Sequence, residues 1–456
     1  MTVPGLIAGD GANDTIVALA TPPGRGAIAV VRLSGPEAFE IAARHVRNWP
    51  PEPRQPHLSD IISADKKLDQ ALVTLFPSPG SFTGEDTVEI STHGGHLVPA
   101  TIAAALTLSG ARQALPGEFT RRAVLNGKLD VLQAEAIGDL IDARSHAMQA
   151  AALGQLDGGL SNRLAELRTQ LIDLEALLAY DVDFPEEDDG PVPPARIERA
   201  AAVILQSLSS LLATAPTGEL IREGAIVVIA GPPNVGKSSL FNALLGRSRA
   251  IVTEIPGTTR DALEAVIDTG KWPIRLVDTA GLRDTDDQLE KLGIQTSERY
   301  LSAADLVLAC ADDANTLDGV REAIGRHTAV PVLAVRTKAD LVADKHKTER
   351  AGISWVSART GAGLSSLTGA IDHAIDVRQS FTADAPMLTS ARHRHAIETA
   401  YAETTEFERV WRGQKLPATV AAIHLRTAVV ALEELIGTVE IENVLDRVFS
   451  SFCVGK

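Results

Sequence analysis

The sequence predicts a multidomain chain of α/β and α type. It would hold an N-terminal α+β domain, a helical domain, and a parallel α/β domain inserted into the helical one. Three observations carry this. The chain has 456 residues, enough for about three domains at ~150 residues each. Strand and helix signals mix over 1–127, turn helical over 128–223, alternate over 224–378, and return to helix over 379–456. Helix on both sides of an alternating strand–helix stretch marks that stretch as an insertion.

The elements follow in order. Thr15–Ala20 and Ala27–Leu33 are apolar, β-branched runs separated by the turn-former PPGRG. Ser34 and Glu37 have capping-box spacing and predict a helix to about Val46. Strands are expected at Ala71–Phe76 and Val88–Ser91, then a Gly-Gly turn and a helix over Leu97–Leu108. Leu160, Leu164, Leu167, Leu171, Leu174 and Leu178 recur at alternating spacings of 4 and 3, a stripe suited to a bundle core. The acidic, Pro-rich FPEEDDGPVPP ends that helix, and Ala195–Ala215 begins another. After the alternating stretch the chain reads as helix again, with Ile423, Val430 and Leu435 among its apolar positions.

Composition narrows the class. Hydrophobic residues at 45% and charged residues at 22% exclude a disordered chain. The net charge of −16 makes the protein a poor polyanion binder unless a local basic patch or a basic partner helps. Arg121-Arg122 and Arg392-His393-Arg394-His395 are the candidate patches. The two cysteines, Cys310 and Cys453, exclude a disulfide scaffold and fit a reducing cytosol. Cys310 reads as an inert buried thiol. No uninterrupted apolar stretch reaches ~18 residues, and the N-terminus has no basic n-region. The expectation is a cytoplasmic protein that does not span a membrane.

One motif carries chemistry. The strand-like Ala225–Ala230 runs into GPPNVGKS at 231–238, which matches G-x4-G-K-[ST], and Ser239–Leu245 then reads as helix. In such a P-loop, Gly231 and Gly236 let backbone N–H groups of the Asn234-Val235-Gly236 turn and the helix start at Ser239 face phosphate oxygens. Lys237 reaches the β- and γ-phosphates, and the Ser238 hydroxyl ligates Mg²⁺. Asp278-Thr279-Ala280-Gly281 ends the strand Ile274–Val277, where a carboxylate serves the Mg²⁺ shell and an N–H the γ-phosphate. Thr258 and Thr259, in PGTTRD, lie where a switch threonine closes over the metal. Thr337-Lys338-Ala339-Asp340 follows the strand Val332–Val335, and the Asp340 carboxylate suits guanine N1–H and the 2-amino group. Ser357-Ala358-Arg359 fits the last base-contacting loop. Together these loops predict a GTPase. Thr337 stands where asparagine is usual, and Leu282 stands where small GTPases carry the glutamine that orients water. Hydrolysis is then very slow, or another side chain takes that role.

ATPPGRGAIAVVRLSG, SFTGEDTVEISTHGG, PGEFTRRAVLNGKLD, the G domain and the terminal FSSFCVGK closely resemble the MnmE (TrmE) family of tRNA-modification GTPases. The likeness covers nearly the whole chain. It implies an α+β folate-binding domain that also dimerises, a helical domain and an inserted P-loop G domain. It implies that the flavoprotein MnmG joins as a heterotetramer to install an aminomethyl- or carboxymethylaminomethyl-type group at C5 of the wobble uridine of certain tRNAs. By resemblance, Glu290 replaces the missing glutamine. A K⁺ ion takes the place of an arginine finger, held by Asn234 and by groups from Thr253, Ile255 and Thr258 in the loop that also includes Glu254, Pro256 and Gly257. A monovalent cation there would neutralise charge developing at the β–γ bridge. A 5-formyl- or 5,10-methylene-tetrahydrofolate would be held by Arg32, Glu89 and Lys128, with Lys456 nearby, and Cys453 would join one-carbon chemistry. From spacing alone Arg32 and Glu89 read as solvent-facing strand residues; the motifs around them reverse that. His93 and His96 have no metal-ligand company and read as structural. The rival readings are a regulatory or ribosome-assembly switch without modification chemistry, and a folate-dependent transferase with a vestigial G domain.

Overall fold

The computed structural model describes residues 14–183, 192–247, 263–269, 271–278, 300–326, 328–342, 352–377, 386–413, 418–437 and 455. The chain divides into two compact units: residues 1–138 with 433–456, and residues 139–432.

The first unit contains β1 (Ile16–Leu19), β2 (Ile28–Ser34), α1 (Ala38–Ala43), β3 (His57–Ser63), β4 (Lys66–Phe76), β5 (Thr87–His93), α2 (Leu97–Leu108), β6 (Arg112–Gln113), α3 (Glu118–Leu125) and the start of α4 (Val131–Asp142). Its sheet runs β3-β4-β5-β2-β1-β6, antiparallel except for the β1–β6 pair. Alternate residues Val31, Leu33, Val73, Leu75, Val88 and Ile90 are buried with Ile41, Ile102 and Leu106 of the covering helices. Their neighbours Arg32, Thr74 and Glu89 are therefore on the other face. Near the C-terminus, Gly455 has φ +100°, and a Cβ there would fall 2.1 Å from the Leu19 carbonyl oxygen. Gly455 thus lies against the end of β1.

One expectation fails here, and one hairpin was not read from sequence. The Ser34–Glu37 capping box does not form. The Ser34 hydroxyl bonds Thr83 at 2.7 Å and Glu85 at 2.8 Å, the Glu37 N–H donates to Thr15 Oγ1 at 2.9 Å, and the helix is only Ala38–Ala43. Tertiary partners have taken the groups that a local cap would use. The β3–β4 hairpin escaped the sequence reading because Ala64 and Asp65 form its turn, with φ of 47° and 62°. Such a turn is usually flagged by Asn-Gly, which is absent.

The second unit holds α5 (His146–Leu156), α6 (Gly159–Asp183), α7 (Pro194–Leu212), α8 (Ala215–Glu223), β7 (Ala225–Ala230), α9 (Lys237–Arg247), β8 (Leu263–Asp268), β9 (Pro273–Asp278), β10 (Leu306–Ala311), α10 (Ala314–Gly325), β11 (Val332–Arg336), β12 (Ile353–Trp355), α11 (Leu364–Asp376), α12 (Ala391–Gly413) and α13 (Ala418–Ile436). The leucine stripe of α6 is buried throughout, as a bundle core requires. By length and composition 194–223 could cross a membrane. Here Ile197, Ala201, Ile204, Leu208 and Leu211 instead form a buried stripe along α7, which packs against α6 and α12. Ile423 and Val430, read as apolar positions of the last helix, are 61% and 38% exposed. The buried face of α13 runs through Ala421, Leu425, Ala428, Leu432 and Leu435, and helical phase turns the other two outward.

The second sheet has the order β12-β11-β10-β7-β9-β8 and is parallel except for β8. Val227, Val228, Ile229, Leu306, Val307 and Leu308 are buried on both faces, the pattern of central parallel strands. Loops that carry chemistry in such sheets leave the carboxyl ends of the strands.

Candidate functional site: a phosphate loop and a base loop at the ends of a parallel sheet

The loop after β7 crosses β10 closely: a Cβ on Gly231 would fall 2.2 Å from the Cys310 carbonyl oxygen. Only glycine permits that approach. The turn then takes Asn234 to φ 64° and Gly236 to φ 96°, and α9 begins at Lys237. The start of that helix carries the positive end of its dipole, which suits phosphate oxygens. Lys237 is 6% exposed; its ammonium donates to the Gly231 carbonyl at 2.9 Å and the Pro232 carbonyl at 2.7 Å, folded along the loop it closes. Asp278 ends β9 opposite Ile229 and is fully buried. A hydroxyl at Ser238 and a carboxylate at Asp278 are hard oxygen donors, the set that suits Mg²⁺ beside phosphate oxygens. Cys310, behind the loop, is inert: burial pushes its thiol up to about 12.

The base loop is clamped to the phosphate loop. The Thr337 N–H donates to the Ala311 carbonyl at 2.9 Å, and its hydroxyl donates to the Val235 carbonyl. Lys338, at φ 55°, donates from Nζ to the Asn234 carbonyl at 2.9 Å and to Asp312 at 2.8 Å. Asp340 accepts from the Ser357 hydroxyl at 2.7 Å and pairs with Arg359 at 3.2 Å. The Ala339 N–H donates to the Val356 carbonyl at 3.0 Å. So Asn234, Val235, Gly236, Lys237, Ser238, Ser239, Asp278, Lys338, Asp340, Ser357, Ala358 and Arg359 come from the ends of neighbouring strands. Thr253 to Thr259, Thr279 to Gly281, Glu290, Cys453 and Lys456 lie outside the described residues.

In the first unit Arg32 and Glu89 face each other across β2 and β5 and pair at 2.7 Å. The Arg32 guanidinium stands over the rings of Phe82 at 5.4 Å and Phe119 at 5.5 Å. Lys128 is held beside the same 77–86 loop, its Nζ donating to the Pro79 carbonyl at 3.1 Å. Asn126 donates to the Thr83 carbonyl at 2.7 Å. Phe82 and Phe119 were not identified from sequence, and SFTGED gave no signal that its ring would stack on a strand arginine.

The proposed phosphate-contacting clusters are mostly internal. Arg122 is 5% exposed and pairs with Asp14 at 2.6 Å, Glu118 at 3.0 Å and Glu85 at 3.2 Å. Arg112 joins the same cluster through Asp14 and Glu118. Burial alone would raise the Asp14 and Glu118 carboxyls, but the two guanidiniums outweigh it and hold both below the usual carboxylate range. Arg394 pairs with Glu219 at 2.9 Å and His393 is fully buried. Arg122 and His393 are committed to the fold, and the part-exposed Arg394 is held by an ion pair. His93 pairs with Asp69 at 2.7 Å, and no cluster of His, Cys, Asp or Glu suited to a metal ion occurs among the described residues.

A phosphate loop, a buried carboxylate at the next strand and a clamped carboxylate for a base define a P-loop nucleotide-binding protein of the G-domain class. Family comparisons agree and go further. The profile described as MnmE helical domain matches residues 131–453, and that described as GTP-binding protein TrmE N-terminus matches 15–128. The tRNA modification GTPase MnmE of Moorella thermoacetica is 41% identical over 471 residues, covering 97% of this chain and 100% of the relative. Those of Heliobacterium modesticaldum and Methylobacterium radiotolerans are 41% and 42% identical, each across 97% of this chain. The chain belongs to the MnmE family of tRNA modification GTPases.

Proposed function

We propose that this chain hydrolyses GTP with Mg²⁺ and K⁺ to drive modification of the wobble uridine of tRNA, in a complex with MnmG. The observation that carries the reading is the hydrogen-bonded clamp between the phosphate loop and the base loop, Lys338 to Asn234 and Thr337 to Val235. It supports one site that holds phosphates and base together. Lys237 and the N-terminal end of α9 would bind the triphosphate, and Asp340 would select guanine. Ser238, Asp278 and Thr259 would hold Mg²⁺, which offsets charge on the phosphates. Asn234 with the 253–258 loop would hold K⁺, and Glu290 would orient water. On the first unit, Arg32, Glu89 and Lys128 would hold a tetrahydrofolate, with Lys456 and Cys453 joining by family resemblance. That unit would also form the homodimer contact.

Two measurements test this. GTP turnover in K⁺ should exceed turnover in Na⁺ at equal ionic strength, and Asn234→Ala should abolish the difference; equal rates in the unaltered chain would sink the cation role. Nucleoside analysis of tRNA incubated with this protein, MnmG, GTP and labelled folate should show the modified uridine. GTP turnover with unchanged uridine would favour the regulatory-switch reading instead.

A further inference from the structure

We infer that the Thr83 hydroxyl is a positioning group for the tetrahydrofolate site, holding the 81–85 loop on the sheet so that the Phe82 ring stays over the Arg32 guanidinium. The inference rests on Arg32, Glu89 and Lys128 being that site. Across β2 and β5, Arg32 faces Glu89, and two residues further on Ser34 faces Thr87. Residues two apart in a strand share a face, so the Ser34–Thr87 pair lies next to the Arg32–Glu89 pair. The Thr83 hydroxyl is 2.7 Å from that of Ser34 and 3.3 Å from that of Thr87, and all three residues are buried. The Ser34 hydroxyl donates to Glu85 at 2.8 Å, and a hydroxyl has one proton to give. Thr83 is therefore the donor to Ser34, and it accepts the Glu85 N–H at 3.2 Å.

These bonds decide where Phe82 sits. Phe119, the other ring beside Arg32, is buried with Ile16 and Ala18 and fixed by that packing. Phe82 is 37% exposed, so its place is set by the backbone that carries it. Ser81 donates to the Glu85 carbonyl and closes the loop on itself, whereas Thr83 ties the residue next to Phe82 onto β2, two positions from Arg32. The Glu85 carboxylate also meets Ser34, but on a longer side chain three residues from the ring. Asn126 holds the Thr83 carbonyl from the end of α3, not from the sheet. The same loop backs Lys128: Gly84 has φ +80°, and a Cβ there would fall 3.3 Å from Lys128 Cγ. Removing the Thr83 hydroxyl strips a buried donor from Ser34 and a buried acceptor from the Glu85 N–H, which is costly, and frees the ring to leave Arg32.

The test compares Thr83→Val, which keeps shape and loses the hydroxyl, with Thr83→Ser, which keeps it. Affinity for 5-formyltetrahydrofolate is measured by calorimetry on the full chain, with GDP affinity as the control. Thr83→Val should weaken the folate by about 10-fold and leave GDP within about twofold, while Thr83→Ser stays near the unaltered chain. Because the hydroxyl acts through Phe82, its loss should cost less than about threefold more in a chain that already carries Phe82→Ala. Unchanged folate affinity in Thr83→Val beside a lowered denaturation midpoint would show a structural role only. That result, equal losses in the Val and Ser variants, or fully additive losses with Phe82→Ala would each overturn the inference. If Thr83→Val does not fold, Ser34→Ala, which removes the partner hydroxyl, carries the same comparison. Failure of the unaltered chain to bind 5-formyltetrahydrofolate would instead remove the folate reading, and the inference with it.

Discussion

The two sheets carry chemistry in different places. In the parallel sheet the strands are apolar on both faces and the polar groups lie at their carboxyl ends, in loops whose backbone does much of the work. In the antiparallel sheet one face is covered by helices, and the other carries Arg32, Thr74 and Glu89 within the strands themselves. A loop motif has a spacing that strands do not mimic. A charged residue on an open sheet face has the same spacing whether it binds a ligand or only meets water. The first kind of site is readable from residues alone, and the second needs its three-dimensional neighbours.

The sharpest test of the strand-end site is Glu290→Ala. It should lower kcat by ~10²–10⁴-fold with little change in GTP affinity, the range for a positioned acid–base group. Steady-state turnover beside nucleotide titration checks it, and an unaltered kcat would assign the water to another group.

On the antiparallel side, Arg122→Ala should take the guanidinium from Glu85 and leave Asp14 and Glu118 with Arg112 alone, around a cavity. Removing one partner of a buried ion cluster costs about 3–5 kcal/mol. Chemical denaturation should show that loss, while GDP affinity stays within about twofold. Equal damage to nucleotide binding would mean that the two sheets are not separate in function.

Acid should act on the same cluster. Asp14 and Glu118 are held below their ordinary values, so the stability they add is fully present above the unfolded carboxylate range near ~4. It is lost as pH falls through the lower folded values. Denaturation midpoints between pH 6 and pH 3 should fall more steeply in the unaltered chain than in Arg122→Ala; parallel curves would exclude the cluster as the cause.

The smallest effect concerns tRNA. With Arg122 and His393 buried, Arg394 paired with Glu219 and a net charge of −16, the isolated protein should bind tRNA weakly. Its log K should fall by only ~0.9 per phosphate contact against log salt. Titration at several salt concentrations, alone and with MnmG, measures this. Tight and steeply salt-dependent binding by the protein alone would contradict it.

Much of the parallel sheet was legible, with β7, β9, β11 and the phosphate loop where spacing places them, and so was the leucine stripe of α6. The first unit was harder. Ser34 looked like a helix cap because its true partners, Thr83 and Glu85, are about fifty residues away in sequence. Arg121-Arg122 looked like a basic patch because the pairing of Arg122 with Asp14 spans 108 positions. Ile423 and Val430 were read only as apolar positions of the last helix, and apolar content alone does not tell which of them helical phase buries. Thr337 could be seen only as a departure from asparagine, and its contact with Val235 crosses 102 positions. Long-range partners are what local pattern leaves out.

The central claim is that the clamped loops form one guanine-nucleotide site, and base selection tests it most directly. Equilibrium titration of GTP, ATP and xanthosine triphosphate should be run on the unaltered chain and on Asp340→Asn. A site built to pair the guanine edge should favour GTP over ATP by at least ~10²-fold. Asp340→Asn should lose GTP and gain relative affinity for xanthosine triphosphate, whose edge complements an amide. Equal binding of GTP and ATP by the unaltered chain, or undiminished GTP affinity in Asp340→Asn, would contradict the claim.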